Sequence, residues 1–361
     1  MTDRERFLAC LSGEPVDRPP YWLFWSPWQT TWARWEKEGK PEHITDHRSF
    51  FDPDEPPKIV PVNCGPCPKM ERTVIQEDDD FVVFTDTWGI KRRDYKHGVS
   101  MSEFLEFPVK SRRDWERFKE ERLDPDHLER LSGDWREHCA EWVAKGVPIQ
   151  LGYFPDVSIY GGLRWLLGDE ECLVAFYTMP DLVHEIMDHL TSLYLTVFEN
   201  VVKEVRVDVI HIWEDMCGRQ GPLISPKHWD TFMGPNYRRI KGFVEQHDIP
   251  LISVDTDGYP DLIIPSMMRA GVNYLYPMEV AAGCDVNAMR DAYSTLGMMG
   301  GIDKRVLAAG PEAIDKELAR IRPAMEKGRY VPDLDHLVPD DVSWENYCYY
   351  AEALKKLTGK A

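Results

Sequence analysis

Short apolar runs alternate with helical spacings along the second half of the chain. Turn residues or charged residues bound each run, so the runs predict strands at residues 147–154, 207–214, 249–255, 272–277, 295–301 and 328–332. The segments between them have helical spacing, and the longest covers residues 180–205. Strands that alternate with helices predict a parallel sheet covered by helices, and the number of units favours a (β/α)8 barrel.

The first half of the chain is less regular. Thr2-x-x-Glu5 is a capping box that predicts a short amphipathic helix ending at Gly13. The run Tyr21-Trp22-Leu23-Phe24-Trp25 predicts the first, buried strand of the barrel, whereas residues 58–62 are a weaker candidate for the second.

Residues 26–146 form a long polar segment after the predicted first strand. Residues 73–95 alternate as in a β-meander, and residues 111–121 and 126–145 have helical spacing. We therefore predict an α/β fold, a TIM barrel of one domain spanning 1–361, with 26–146 as a helical and β-meander elaboration that would suit a lid. No GxGxxG fingerprint follows the first predicted strand, which disfavours a nucleotide-binding open sheet.

Composition narrows the set of partners. The 361 residues are 43% hydrophobic and 29% charged, as in a globular protein with a large core. The net charge of -19 disfavours nucleic acid and anionic membranes. The N-terminus is charged from its third residue and no apolar run is long enough to span a bilayer, so we expect a cytoplasmic location.

The eight cysteines are scattered, which is typical of reduced thiols rather than of a disulfide framework. Cys64 and Cys67 have the spacing of a dithiol redox centre, but nearby prolines and the lack of a following helix favour a plain loop.

Candidate chemistry lies where the predicted strands end, since barrel active sites form at that face. Asp255 and Asp257 are two residues apart and therefore point to the same side. Two close carboxylates repel each other unless a cation or a shared proton lies between them. The pair and His336 predict a divalent metal site, with Glu214, Asp215 or Glu279 as a further ligand.

Other interpretations of these residues remain open. Asp255 and Asp257 also suit a metal-free acid and base pair with separated pKa values. An Asp before Gly258 is common turn chemistry, and His336 suits a structural hydrogen bond. The aromatic residues from Trp22 to Trp35 suit simple core packing as well as a substrate surface.

The segments "DRPPYWLFW", "IHIWEDMCGRQGPLISP", "AGVNYLYPMEVAAGCDV", "MMGGIDKRVLAAGPEAI" and "DLDHLVPDDVSWENY" resemble the uroporphyrinogen decarboxylase superfamily. The resemblance covers nearly the whole chain and is strongest after residue 150. It implies a (β/α)8 barrel and two activities, tetrapyrrole decarboxylation and methyl transfer to corrinoid cofactors. It also implies a homodimer.

The decarboxylase branch of this superfamily matches the chain at Tyr160 and His336. Two arginines that hold substrate carboxylates in that branch are replaced here by Trp25 and Gln29, and a small hydroxyl residue is replaced by Asp215. A substrate with eight carboxylates requires cationic groups, which disfavours uroporphyrinogen itself.

The methyltransferase branch binds zinc through His-x-Cys and a later Cys, and the matching places here hold Asp255, Asp257 and His336. Such hard ligands suit zinc before manganese or iron, and they polarise oxygen better than they deliver a thiolate. The resemblance therefore implies demethylation of an O-methyl compound, such as an aromatic methyl ether, with transfer of the methyl group to a partner corrinoid protein.

In this prediction, Asp255, Asp257, His336, Asp215 and Tyr160 are the catalytic residues. The predicted substrate-binding residues are Trp25, Trp28, Gln29, Glu214 and Glu279. The alternatives are a decarboxylase or lyase of a smaller carboxylated substrate, and a binding protein that has lost catalysis.

Overall fold

The computed structural model describes residues 1–97 and 101–360. Its strands are β1 (Lys58–Ile59), β2 (Thr73–Glu77), β3 (Phe81–Thr85), β4 (Lys91–Tyr95), β5 (Glu103–Glu106), β6 (Ile149–Leu151), β7 (Val209–Trp213), β8 (Cys217–Gly218), β9 (Gly221–Pro222), β10 (Leu251–Asp255), β11 (Tyr274–Met278), β12 (Gly297–Ile302) and β13 (Tyr330–Leu334). Seven strands form a curled parallel sheet in the order β1-β6-β7-β10-β11-β12-β13, and β2 to β5 form an antiparallel sheet.

Along the chain, the helices come before the parallel sheet, between its strands and after its last strand. They are α1 (Asp3–Ser12), α2 (Gln29–Lys37), α3 (Arg112–Arg122), α4 (Trp135–Ala144), α5 (Tyr160–Leu167), α6 (Asp169–Thr178), α7 (Pro180–Val202), α8 (Pro226–His228), α9 (Gly234–Gln246), α10 (Ile264–Arg269), α11 (Val286–Ala292), α12 (Pro311–Glu326) and α13 (Trp344–Thr358). Over the described ranges, no helix combines the length and the apolar character needed to cross a bilayer.

The parallel sheet confirms the six strands predicted in the second half of the chain. Every neighbouring pair in this sheet is parallel, and β7 and β10 are in register over five residues. The intervening helices bury one apolar face, as α7 does with eleven buried side chains. Alternation of parallel strands with covering helices makes this an α/β fold consistent with a TIM-like barrel.

The predicted first strand at Tyr21–Trp25 is wrong, whereas the weaker candidate at 58–62 contains β1. The segment 21–25 is largely buried, but carboxylates take two of its amide groups. Asp54 accepts from the Tyr21 amide at 2.8 Å, and Asp333 at the end of β13 accepts from the Phe24 amide at 2.8 Å. Side chains thus replace the ladder partner that the apolar pattern predicted.

Helix α1 packs against the interior of the sheet. Its capping box between Thr2 and Glu5 and the left-handed Gly13 at its end confirm the predicted bounds. Phe7, Cys10 and Leu11 join a cluster with Trp22 and with residues of the strands, namely Val209, Leu251, Tyr274, Tyr276, Met299 and Val331. Burial of this apolar face fixes α1 to the sheet at the end opposite the strand carboxyl ends.

Strands and helices also occur within residues 26–146, partly at the segments where the sequence pattern predicts them. Strands β2 to β5 pair antiparallel in sequence order. Helix α3, a short 3-10 helix at Leu128–Leu131 and α4 occupy the segments with helical spacing. The assignment of residues 26–146 as a mobile lid stays a prediction.

The buried carboxyl group of Asp333 should make stability depend on pH. Burial raises its pKa to about 7, so the folded chain binds this proton more tightly than the unfolded chain does. The folded state therefore loses stability as the pH rises from about 4 through about 7. We expect Asp333→Asn to gain roughly 2–4 kcal/mol relative to wild type between about pH 4 and about pH 8.

Urea unfolding of both proteins at each pH measures this difference, and the comparison cancels the other titrating groups. Asp303→Asn is the matched control, because Asp303 has a lowered pKa and an Arg305 partner. If the difference in free energy of unfolding between wild type and Asp333→Asn stayed constant with pH, Asp333 would not be the group whose raised pKa makes stability depend on pH.

Candidate active site

The carboxyl ends of β7 and β10 bring the predicted acidic residues to one place. Asp255 ends β10, and in the sheet it lies beside Trp213 of β7 and Tyr276 of β11. The amides of Glu214 and Asp215 donate to the Asp255 carbonyl at 2.8 and 3.3 Å. These bonds fix the turn after β7 against the turn after β10. The side chains of both turns therefore lie at the same opening at the carboxyl end of the sheet, which we call the mouth.

The turn after β10 requires a close approach of two backbones. Gly258 has a φ of +84°, and a Cβ there would lie 2.6 Å from the Cys217 carbonyl carbon. Its amide donates to the Glu279 carboxylate at 2.9 Å. Any side chain at Gly258 would displace the loop that carries Asp257.

Asp255 and Asp257 are carboxyl groups with raised pKa values. For Asp255, burial and then the charges of Asp257 and Asp215 raise the pKa well above its ordinary value. For Asp257, burial followed by the charges of Asp215 and Glu279 raises the pKa to about 7. Both shifts favour the protonated carboxyl form, and Asp257, with a pKa of about 7, exchanges its proton readily near neutral pH.

His336 faces this pair as a neutral imidazole. Its Nε2 lies 3.7 Å from Asp257 Oδ2, and its ring stacks on Trp25 with centroids 4.7 Å apart. Burial and the charge of Lys304 lower the pKa of His336 to about 4. The predicted pairing of Asp257 with His336 is thus present in the structure.

The predicted metal triad is gathered only in part. Asp257 and His336 are close, but Asp255 does not bring a ligand atom within 4.8 Å of both, since no such trio of these residues occurs in the described ranges. Two hard donors alone do not fix an ion. A metal at Asp255, Asp257 and His336 stays a prediction, and no reaction step is derived from it.

Asp215 is held by an arginine that the sequence did not indicate. Arg164 Nη2 donates to Asp215 Oδ2 at 2.6 Å and Nη1 donates to the Asp215 carbonyl at 3.2 Å. The guanidinium lies 5.4 Å from the centre of the Trp213 ring. Asp215 has a φ of +42°, which is uncommon outside glycine, so the surrounding contacts hold it in a strained conformation.

Glu214 and Tyr160 lie behind the mouth rather than in it. Glu214 is fully buried, and its Oε2 accepts from the Ser158 hydroxyl and from three amides at the start of α5. Tyr160 is also fully buried and stacks on Phe176 of α6. Substrate contact by either residue stays a prediction, and these surroundings indicate a structural position.

The other predicted substrate-binding residues are divided between the mouth and the surface. Trp25 stacks on His336, and Glu279 accepts from the Gly258 amide. Trp28 and Gln29 begin helix α2, where Trp28 is half-buried and Gln29 is exposed. Only Trp25 of the three predicted N-terminal residues lines the adjacent cavity.

A cavity of 380 Å³ opens beside Trp25. It is lined by Phe24, Trp25, Ser26, Asp46, His47, Arg48, Pro56, Pro57, Lys58, Ile59, Tyr153 and Leu337. Two of these residues, Arg48 and Lys58, are cations that the sequence analysis did not assign to the site. Both cations have carboxylate partners, since Arg48 lies 3.8 Å from Asp46 and Lys58 lies 2.6 Å from Glu55, so the cavity combines an aromatic wall with paired charges.

Lys304 is a further cation of the mouth. Burial raises the pKa values of Asp257 and Asp335 and the charge of Lys304 opposes that rise, whereas for His336 burial and then Lys304 both lower the pKa. Its Nζ makes no ion pair or side-chain hydrogen bond with the part of the chain that the structure describes. The sequence shows that Lys304 follows a predicted strand, but it does not show how close Lys304 lies to the acidic residues.

A polar layer lies beneath the mouth, inside the sheet. His211 Nδ1 lies 2.8 Å from Ser253 Oγ, and the Tyr276 hydroxyl lies 3.2 Å from the same nitrogen. Burial lowers the pKa of His211 to about 3, so this layer is neutral at physiological pH. Hydrogen-bonded polar groups are thus fixed directly below Asp255.

Comparisons with known proteins agree with this fold. The family described as "Uroporphyrinogen decarboxylase (URO-D)" matches residues 168–357. A uroporphyrinogen decarboxylase of Pseudomonas fluorescens is 27% identical over 190 residues, which are 51% of each chain. That of Chloroherpeton thalassium is 24% identical over 193 residues, also 51% of each chain.

The matched region establishes the family of the chain but does not establish its activity. The chain spans about half the length of the curated relatives it matches. The match begins at Gly168 and thus includes β7, β10, β11, β12 and β13 with Asp255, Asp257 and His336. Because the family match covers 168–357 of 361 residues, more than half of the chain, this protein belongs to the uroporphyrinogen decarboxylase family.

Proposed function

We propose that the chain is a carboxy-lyase that acts on a carboxylated substrate smaller than a porphyrinogen. The observation that carries this proposal is the pair of acids Asp255 and Asp257, whose pKa values burial raises, at the carboxyl end of the sheet with His336 at 3.7 Å from Asp257 and Lys304 near Asp257. The names of the relatives favour decarboxylation over the methyl transfer expected from the sequence.

The chemistry divides among the residues of the mouth. Loss of CO2 breaks a carbon–carbon bond and leaves its electron pair on the neighbouring carbon, so the substrate needs an electron-accepting group. Protonated Asp255 donates a hydrogen bond to that group, and Asp257 transfers its proton to the carbon. Besides the carboxylate that is lost as CO2, the substrate would carry another anionic group, and Lys304 orients that group. An ammonium binds a carboxylate strongly in a partly desolvated site.

His336 and Trp25 hold the Asp257 carboxyl group in position and contribute no charge of their own. The neutral imidazole lies next to the carboxyl group, and the stacked indole fixes the ring plane. A proton donor works best when its pKa lies near the working pH, as it does for Asp257. The solution then returns one proton to Asp257 for each CO2 released.

A second candidate is the O-demethylation predicted from sequence, which the aromatic wall favours. Trp25, Tyr153, Phe154 and Trp213 surround the mouth, and Phe154 packs on Trp213 at 4.6 Å. A partner corrinoid protein would supply the nucleophile for the methyl group. This chain would hold the methoxyarene and protonate its ether oxygen from Asp257.

A two-part activity assay separates the candidates. Purified protein is given β-keto and heteroaryl acetic acids labelled at the carboxyl carbon, and separately methoxyarenes with reduced cobalamin. We expect labelled CO2 without added corrinoid, and we expect Asp257→Asn to lose it. Formation of methylcobalamin from a methoxyarene, with no labelled CO2 from any acid, would overturn the carboxy-lyase proposal in favour of demethylation.

A further inference from the structure

A cluster of a thiol, an imidazole and a carboxylate lies outside the group of Asp255, Asp257 and His336. Cys67, His127 and Glu129 each bring one ligand atom within 4.8 Å of the other two. Cys67 Sγ lies 3.3 Å from His127 Nδ1. No other trio of this kind occurs among residues 1–97 and 101–360.

The cluster joins two segments that are far apart in sequence. Cys67 belongs to the loop after β1, which confirms the loop interpretation of the Cys64 and Cys67 spacing. His127 and Glu129 lie at the start of the 3-10 helix Leu128–Leu131. The His127 Nδ1 accepts from the Glu129 amide at 3.3 Å and lies 3.3 Å from Cys67 Sγ, so an ion bound through Nδ1 would replace this capping bond.

The ligand types and their spacing suit zinc. Zinc binds thiolate at about 2.3 Å and imidazole at about 2.0–2.1 Å, which places the sulfur and the nitrogen of a tetrahedral site roughly 3.5–3.6 Å apart. Cys67 Sγ and His127 Nδ1 are 3.3 Å apart, so a small outward shift of the two side chains would admit the ion. Binding would release the thiol proton of Cys67, and the resulting thiolate and the Glu129 carboxylate would together balance the charge of a divalent ion.

A buried arginine preorganises the cluster. Arg130 is 1% exposed, and its guanidinium donates to the backbone carbonyls of Asn63, Gly65, Arg122 and Asp124. The Cys67 amide also donates to the Arg122 carbonyl at 2.8 Å. These bonds hold the loop of Cys67 against the segment of His127 before any ion binds, which lowers the ordering cost of binding.

Solvent reaches the cluster from one side. Cys67 is 1% exposed, whereas His127 is half-buried and Glu129 is exposed. A polar cavity of 500 Å³ borders Glu129 and Arg130 and includes Asn63, Lys69 and Asp156. An ion can therefore arrive through the cavity and take a water molecule as its fourth ligand.

We propose that Cys67, His127 and Glu129 form a zinc site that fastens the loop after β1 to the segment 122–131. The site is structural, since it joins two chain segments and lies apart from the acids of the mouth. Bound zinc stabilises only the folded chain, so the midpoint of thermal unfolding rises with zinc concentration.

Zinc titration of the purified full chain tests the site. The protein is first freed of metal by chelator, and zinc affinity is measured by competition with a chromophoric chelator. We expect Cys67→Ser to remove one equivalent of zinc and Glu129→Gln to weaken the same equivalent at least ~tenfold. Cobalt bound in place of zinc should show a sulfur-to-cobalt charge-transfer band that Cys67→Ser abolishes.

Cys348→Ser and Glu116→Gln are the matched controls, a half-buried thiol and an exposed carboxylate outside the cluster. Both should keep the equivalent and the band. Because Glu129 is exposed, Glu129→Gln should fold normally even where Cys67→Ser does not, and circular dichroism checks both. No zinc bound by wild type, or equal zinc in wild type, Cys67→Ser and Glu129→Gln, would overturn the proposal.

Discussion

Replacing Asp257 with Asn should lower turnover by roughly 10²- to 10⁴-fold, which is the typical contribution of a general acid. Asn has nearly the same shape but carries no transferable proton. The pKa of Asp257 is about 7, so kcat/KM of the wild type should fall as the pH rises through about 7, when the donor loses its proton. The residual activity of Asp257→Asn should lack this fall.

Steady-state rates across pH on the acid that gives labelled CO2 measure both effects. The matched control is Asp261→Asn, four residues further on, where the carboxylate accepts from the Tyr293 hydroxyl at 2.7 Å. An amide oxygen can accept the same bond, so this variant should keep the wild-type rate and pH profile. Asp257→Asn activity within about twofold of wild type would remove Asp257 from the chemistry.

Asp255 gives a distinct outcome within the same experiment. Burial and then the charges of Asp257 and Asp215 raise its pKa well above the ordinary value, which favours the protonated form and the proposed role as a hydrogen-bond donor. The amide of Asp255→Asn also donates, which should leave much of the rate. A larger loss from Asp255→Asn than from Asp257→Asn would exchange the two roles.

Patterns confined to one element were predicted well from sequence. The six apolar runs of the second half became strands because each is short, apolar and bounded by turn residues. The apolar run at 21–25 has the same pattern but lies where Asp54 and Asp333 take its amides. Those acids are distant in sequence, so the pattern itself contained no sign of them.

Residues at strand ends were predicted as a group, but their directions were not. Asp257 and His336 lie 3.7 Å apart and the charge of Asp257 acts on Asp255, because the carboxyl ends of parallel strands lie at one edge. Glu214 and Asp215 are adjacent, yet one points back to α5 and the other pairs with Arg164. Such a division depends on the turn conformation, which spacing along the chain does not determine.

The cations near the mouth could not be predicted from the sequence. Arg164 follows Tyr160 by one helical turn, and this spacing alone does not distinguish a surface arginine from one that holds Asp215. Arg48 and Lys58 come from an irregular segment and reach the cavity only through the path of the chain. Of these cations, Arg164 offsets part of the negative charge that the acidic residues at the strand ends bring to the mouth, since it pairs with Asp215.

Glu214→Ala should destabilise the fold by roughly 3–5 kcal/mol, the largest effect on stability expected for a residue of this region. The carboxylate accepts from the Ser158 hydroxyl, from the amides of Ile159, Tyr160 and Gly161, and from the Tyr237 hydroxyl at 2.6 Å. Alanine would leave all of these buried donors without a partner. Urea unfolding followed by circular dichroism measures the change.

Glu214→Gln separates hydrogen bonding from charge. Burial raises the pKa of Glu214 to about 7, so ionisation of the carboxyl group costs folding energy as the pH rises from about 4.5 through about 7. Gln keeps an acceptor and never ionises, hence its stability relative to wild type should improve over this range. Tyr237→Phe removes a single donor and should cost only about 1 kcal/mol. If Glu214→Ala lost no more than Tyr237→Phe, the buried carboxyl group would not hold α5 to β7, and Glu214 would return to the candidates for substrate binding.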